Sequence, residues 1–170
     1  LGRCHEHGWG CVANAAIAAQ HYRIAAQNGL DWAMYNLANL HATGRGTAEN
    51  HAQALAFYRQ AAESGHAKSM NLLGRYLEDG HHCPQDVPTA RHWYRLAAEG
   101  GDFRGQFSHA AMLADEGRIE EALGWLRKAL DAGNANFLRV ASVSLLNAQH
   151  PEVRAMADAY SLRLAELDNR

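Results

Sequence analysis

A chain of 170 residues with a net charge of −2 and no block of like charges carries no nucleic-acid footprint, and it has room for one core of ordinary size. Ala supplies 33 residues and Pro only three, which argues for helices approaching across small side chains and against a sheet. No apolar run reaches the roughly 18 residues that a membrane span requires, and three cysteines do not describe a disulfide framework, which favours a reducing, cytoplasmic setting over a periplasmic one.

In chain order, the sequence opens on Leu1-Gly2, which the register described below places mid-helix, so a fragment lacking upstream residues is expected. Helices are then predicted over about 12–28, 31–43, 49–64, 67–79, 86–99, 103–116, 118–132, 135–148 and 151–168. Alternate helices end on one recurring segment: His21-Tyr-Arg-Ile-Ala-Ala-Gln-Asn-Gly29, Phe57-Tyr-Arg-Gln-Ala-Ala-Glu-Ser-Gly65, Trp93-Tyr-Arg-Leu-Ala-Ala-Glu-Gly-Gly101 and Trp125-Leu-Arg-Lys-Ala-Leu-Asp-Ala-Gly133. Tyr22, Tyr58 and Tyr94 are 36 residues apart, and Leu126 follows Tyr94 by 32. Aromatic and Ala positions recurring at i, i+3 and i+4 make an apolar stripe, and the closing Gly suits a helix C-cap.

The intervening helices run through Met34 to Leu40, Met70 to Leu77 and Phe107 to Ala114, and end at Gly44, Gly80 and Gly117. Asp31, Asp102 and Asn134 stand where a side-chain oxygen can cap the next helix. Pro88 and Pro151 fall in first turns, where a missing N–H costs little. The unit is therefore helix, turn, helix.

The second and third units resemble the Sel1-like repeat of the tetratricopeptide superfamily. The residues that carry the likeness are Leu73-Gly74, Gly80, Asp86, Ala90, Trp93-Tyr94, Ala97-Ala98 and Gly101. One unit earlier they are Leu37-Ala38, Gly44-Arg45-Gly46, Asn50, Ala54, Phe57-Tyr58, Ala61-Ala62 and Gly65. Earlier still, Leu1-Gly2, Gly8-Trp9-Gly10, Asn14, Ala18 and Tyr22 match. The fourth unit has a shorter loop and drifts towards the ordinary tetratricopeptide form. The resemblance implies an all-α fold, a right-handed superhelix or solenoid of antiparallel helix pairs. It would fill residues 1–170, with units at about 1–29, 30–65, 66–101 and 102–133 and a C-terminal cap over 134–170. It further implies a bacterial, non-enzymatic scaffold that binds a protein or peptide partner along the first helices of the pairs.

By register, that face carries Arg3, Trp32, Tyr35, Asn39, Lys68, Asn71, Arg75, Arg104, Phe107 and Arg139, together with Glu6, His7, Glu78 and Asp115. Arginine and aromatic residues are the types enriched at interaction hot spots. Related repeats hold a peptide's C-terminal carboxylate with Lys, Asn and Arg. An acidic or C-terminal peptide is one partner this set would suit, although Tyr35 stands where such a trap would place a Lys.

Eleven histidines invite a metal reading, with Cys4-His5-Glu6-His7 plus Cys11, and His81-His82-Cys83, as the densest groups. The register argues against convergence. Cys11 and Cys83 share one repeat position, 72 residues apart, and read as small core residues. His5 and His41 share another, normally a packing aromatic. No metal or cofactor is expected, and a Cys4–Cys11 disulfide stays open. For catalysis, Ser64, Ser69, Ser108, Ser142, Ser144 and Ser161 lack a G-x-S-x-G setting. The Gly-x-Gly loops lack the Gly-Lys-Ser/Thr of a phosphate loop. Two other roles remain beside the scaffold: ligand or metal binding by the His/Cys-rich first repeat, and an architectural module of a larger envelope or secretion protein.

Overall fold

The computed structural model describes residues 1–169, and among these it contains ten α-helices and no strand. In chain order they are α1 (Gly2–His7), α2 (Ala15–Gln27), α3 (Asp31–Thr43), α4 (His51–Glu63), α5 (Ala67–Asp79), α6 (Val87–Glu99), α7 (Phe103–Asp115), α8 (Ile119–Ala132), α9 (Ala135–Leu146) and α10 (Pro151–Asp168). Every helix predicted from periodicity is present, and residues 2–7 form a further short helix with Leu1 at its N-cap rather than mid-helix.

The boundaries follow from capping. Asn14 and Asn50 lie just outside α2 and α4, and their side chains accept the N–H of Ile17 at 3.1 Å and of Gln53 at 2.9 Å. Asp86 repeats the device on Thr89 at 3.1 Å. The backbone N–H of each capping residue also returns to the preceding helix: Asn14 to His5 O at 2.7 Å, Asn50 to His41 O at 2.8 Å and Asp86 to Leu77 O at 2.8 Å. Each long loop is therefore clamped at both ends by the same bonds, 36 residues apart.

At the other turn of the repeat, the N-cap position is taken by Leu30, His66, Asp102 and Asn134. Asp102 and Asn134 cap as expected, accepting from Gly105 N at 2.9 Å and Phe137 N at 3.0 Å. Asp31 does not. It is the first helical residue of α3, and its carboxylate accepts the N–H of Trp32 at 2.6 Å.

The described chain forms two compact units, Leu1–Trp93 and a second beginning at Tyr94. In the first, α1 packs on α2, α2 on α3, α3 on α4 and α4 on α5, joined by short loops that make neighbours antiparallel. Its core is layered. Ala18, Ala19, Tyr22, Ala33, Leu37 and Leu40 form one cluster, against which Phe57 packs. Ala38, Ala54 and Tyr58 form the next, with Tyr35, Leu72 and Tyr76 around them. Small residues make room for the tyrosines: a Cβ on Gly2 would stand 2.6 Å from the Tyr22 ring. In the second unit, α7 packs on α8, and α10 on both α8 and α9. Leu113, Leu126, Phe137, Leu138 and Tyr160 are among the buried residues of its core, and the Tyr160 hydroxyl donates to Leu126 O at 2.8 Å.

Candidate partner-binding cleft

In the first unit, the exposed faces of α1, α3 and the start of α5 enclose an open cleft of about 570 Å³. Trp32, Tyr35, Asn36 and Asn39 enter it from α3, at the i, i+3, i+4 and i+7 spacing that puts four side chains on one helix face. Arg3, Glu6 and His7 enter from α1, and His66 and Lys68 from the beginning of α5.

These side chains are held. Trp32 meets the buried Tyr22 edge-on with ring centroids 5.9 Å apart. Tyr35 lies 4.9 Å from the His66 ring. His66 is itself fixed as the N-cap of α5, because Ser69 N–H donates to its Nδ1 at 3.3 Å and Ser69 Oγ lies 2.9 Å from the same nitrogen. The Arg3 guanidinium sits over the Trp9 ring at 5.0 Å.

Two tyrosines of the core bond to residues that line the cleft. Tyr22 donates its hydroxyl to Glu6 Oε2 at 2.5 Å, and Tyr58 donates to Asn39 Oδ1 at 2.6 Å. Burial pushes both hydroxyls well above the usual tyrosine range, aided at Tyr22 by the Glu6 carboxylate, so both remain donors. The bond from Tyr58 therefore fixes the Asn39 amide with its oxygen inward and leaves the NH₂ group to donate. Glu6 is occupied twice, since its other oxygen pairs with Arg45 at 3.2 Å. Arg3 and Lys68 form no ion pair among the described residues, so the cleft presents two cations, amide donors and two aromatic faces.

Of the residues singled out from the sequence, the structure thus gathers Arg3, Trp32, Tyr35, Asn39 and Lys68. Asn71 is not on this surface. It is 3% exposed, because its turn of α5 faces inward. Arg75 is exposed on α5, near enough to the Tyr58 and Tyr76 hydroxyls to favour their ionised forms, but it does not line the cleft. In the second unit, Arg104 lies over the Phe103 ring at 4.6 Å. Phe107 packs against Phe137 and Tyr160. Arg139 is engaged by Asp168 at 3.5 Å and Asn136 Oδ1 at 3.2 Å.

Sequence reasoning missed Asn36 and His66 in the cleft. The signal for His66 was present, since it stands 36 residues before the capping Asp102. Asn36 could have been found from its place between Tyr35 and Asn39 on the same face.

The His- and Cys-rich segments resolve into repeat packing. His5 stacks on His21 and His41 on Phe57, one pair per repeat. His82 stacks on His51 at 3.7 Å, and His51 pairs with Glu49 and lies 2.8 Å from the Tyr76 hydroxyl. The thiols of Cys11 and Cys83 each donate to the carbonyl seven residues upstream, at Cys4 and Tyr76. Cys11 departs from the core reading: it is exposed, because its loop turns it to solvent beside His5, whereas Cys83 is half-buried. All three thiols are free, and among the described residues no group of three or more His, Cys, Asp or Glu converges on a point.

Repeated helix pairs, clamped by the same caps and layered around the same tyrosines, define a helical-repeat protein. The Sel1 repeat model matches residues 1–30, 33–66, 67–102 and 116–134, more than half of the chain, and the chain belongs to the Sel1 repeat family. Sel1 repeats generally serve as protein–protein interaction scaffolds and are typically non-enzymatic. Among solved structures, the chain resembles a protective antigen of uropathogenic Escherichia coli strains that displays an SLR fold. That likeness has 28% identity and a TM-score of 0.78, and it covers 97% of this chain and 36% of that one. The chain therefore spans about a third of that protein's length. It also resembles a Sel1 repeat protein from Oxalobacter formigenes, with 27% identity and a TM-score of 0.71 over 98% of this chain and 70% of the other. No protein of curated function matches significantly. No helix among the described residues is long and apolar enough to cross a membrane.

Proposed function

We propose that this chain is an interaction scaffold, and that the cleft of the first unit takes an acidic segment or C-terminal carboxylate of a protein partner. The observation that carries the reading is the locked donor set. Asn39 is oriented by Tyr58, while Arg3 and Lys68, which form no ion pair among the described residues, stand in the same cleft. Guanidinium and ammonium groups with an amide donor suit a carboxylate, and charge-assisted bonds of this kind are worth about 1.5–3 kcal/mol each. Trp32 and Tyr35 add flat apolar area for a neighbouring side chain at low entropic cost. Arg75 extends the cationic surface along α5. Arg104 and Arg139 belong to the second unit, and the reading does not depend on them.

The test is fluorescence anisotropy with a labelled peptide ending in consecutive Asp residues and a free carboxylate. The wild-type chain should bind it in a salt-sensitive manner. The Arg3→Glu/Lys68→Glu variant should weaken binding at least about tenfold, as expected for two cations lost from a carboxylate site. Equal binding by both proteins would remove the cleft from the function.

A further inference from the structure

The second unit has a groove of its own, of about 360 Å³, between α7, the end of α9 and the loop leading into α10. Its register links it to the cleft. Phe107 stands 72 residues after Tyr35, and Ala111 stands 72 after Asn39, so the same two repeat positions line both cavities. The chemistry is exchanged at each. Tyr becomes Phe and loses its hydroxyl; Asn becomes Ala and loses its amide. Ala110 and Ala114 keep the floor low, and Leu145 and Val153 form the facing wall.

The groove is preformed. Arg154 donates to Ala148 O at 3.1 and 2.8 Å and to Gln149 O at 3.4 Å, and Asn147 Nδ2 donates to Val143 O at 3.0 Å, which holds the loop over the groove. At the rim, Asp115 is exposed and forms no ion pair among the described residues. An Ala floor with Leu145 and Val153 facing it, rimmed by Ser144, Asn147, Gln149 and His150 and beside one unpaired carboxylate, fits an aliphatic side chain with a cation close to it.

We infer that this groove is a second docking site, taking a protein segment that presents an aliphatic residue two positions before an Arg or Lys. The complementarity is one of charge and shape: Asp115 meets the cation, and the Ala floor admits the side chain. The inference does not rest on the carboxylate reading of the first cleft.

The probe is the blocked peptide Ac-Leu-Gly-Arg-NH₂, titrated into the ¹⁵N-labelled full chain and followed by amide chemical shifts. Saturable shifts should appear within 110–115 and 145–153, and the same peptide with Ser for Leu should bind about tenfold more weakly or worse. Ala111→Leu, at an exposed helix position, should fill the groove and abolish the shifts while leaving the rest of the spectrum in place. Asp115→Lys should weaken the Arg peptide several-fold. Shifts that persist in Ala111→Leu, shifts centred on Asn39, or no saturable shifts at all would overturn the proposal.

Discussion

His109 lies half-buried on α7, edge-on to Trp125 with ring centroids 5.5 Å apart, and its Nδ1 has no hydrogen-bond partner among the described residues. Burial, with the Arg118 guanidinium nearby, holds its pKa below the usual value of 6.5. The sign follows from linkage. Below pH 6.5 the unfolded chain takes up a proton at this site before the folded chain does, so the contribution to stability is present above 6.5 and lost as pH falls. Urea midpoints measured from pH 7 to pH 5 should therefore drop more steeply for wild type than for His109→Gln. Superimposable slopes would show that the ring is not desolvated. Other single residues act through direction rather than charge. Tyr58 could be read from the sequence as a repeat anchor, but its orienting bond to Asn39 could not, because it joins α3 to α4 across a packed layer. Asn71 shows the converse. Its register pointed to the surface, yet the turn that carries it faces the core.

At the scale of elements, the helices were legible to within about three residues because several of them, α2, α4, α7 and α9 included, are bounded by a side-chain cap. Asn14, Asn50 and Asp86 stand out as polar residues before apolar stripes, and the structure uses all three in one way. The loops were legible only as loops. What they touch depends on the neighbouring repeat. Gly46 shows this: at φ +70, a Cβ there would stand 2.2 Å from the Ala15 carbonyl carbon at the start of α2. Gly65 has a similar backbone, at φ +95, with open space around it. Both positions carry the roughly 1–2 kcal/mol cost of a left-handed conformation for an L-residue, but only Gly46 adds a backbone collision. Gly46→Ala should thus lower the unfolding midpoint more than Gly65→Ala, by a further 1 kcal/mol or so at least. Equal losses would mean that the loop does not seat against α2 as described.

For the whole molecule, the repeat period carried the fold, and the family follows from it. The site was half legible. Periodicity gave Arg3, Trp32, Tyr35, Asn39 and Lys68 because each repeats on a helix face, and such a face can be counted from the chain. It could not show that Glu6 is neutralised by Arg45, since those residues lie 39 apart and meet only when the loop folds back. Nor could it show that these equivalent positions open onto a cleft in one unit and a groove in the other. The same backbone can then present a cationic, hydrogen-bonding cleft in one unit and an apolar groove in the other. The central claim is that partners meet this chain on the first-helix face of the first unit. Amide hydrogen exchange on the full chain, with and without the Asp-tailed peptide, tests it directly. Added protection is expected in α1, α3 and the first turns of α5, with α2 and α4 unchanged. Protection confined to other helices, while the peptide is bound, would contradict it.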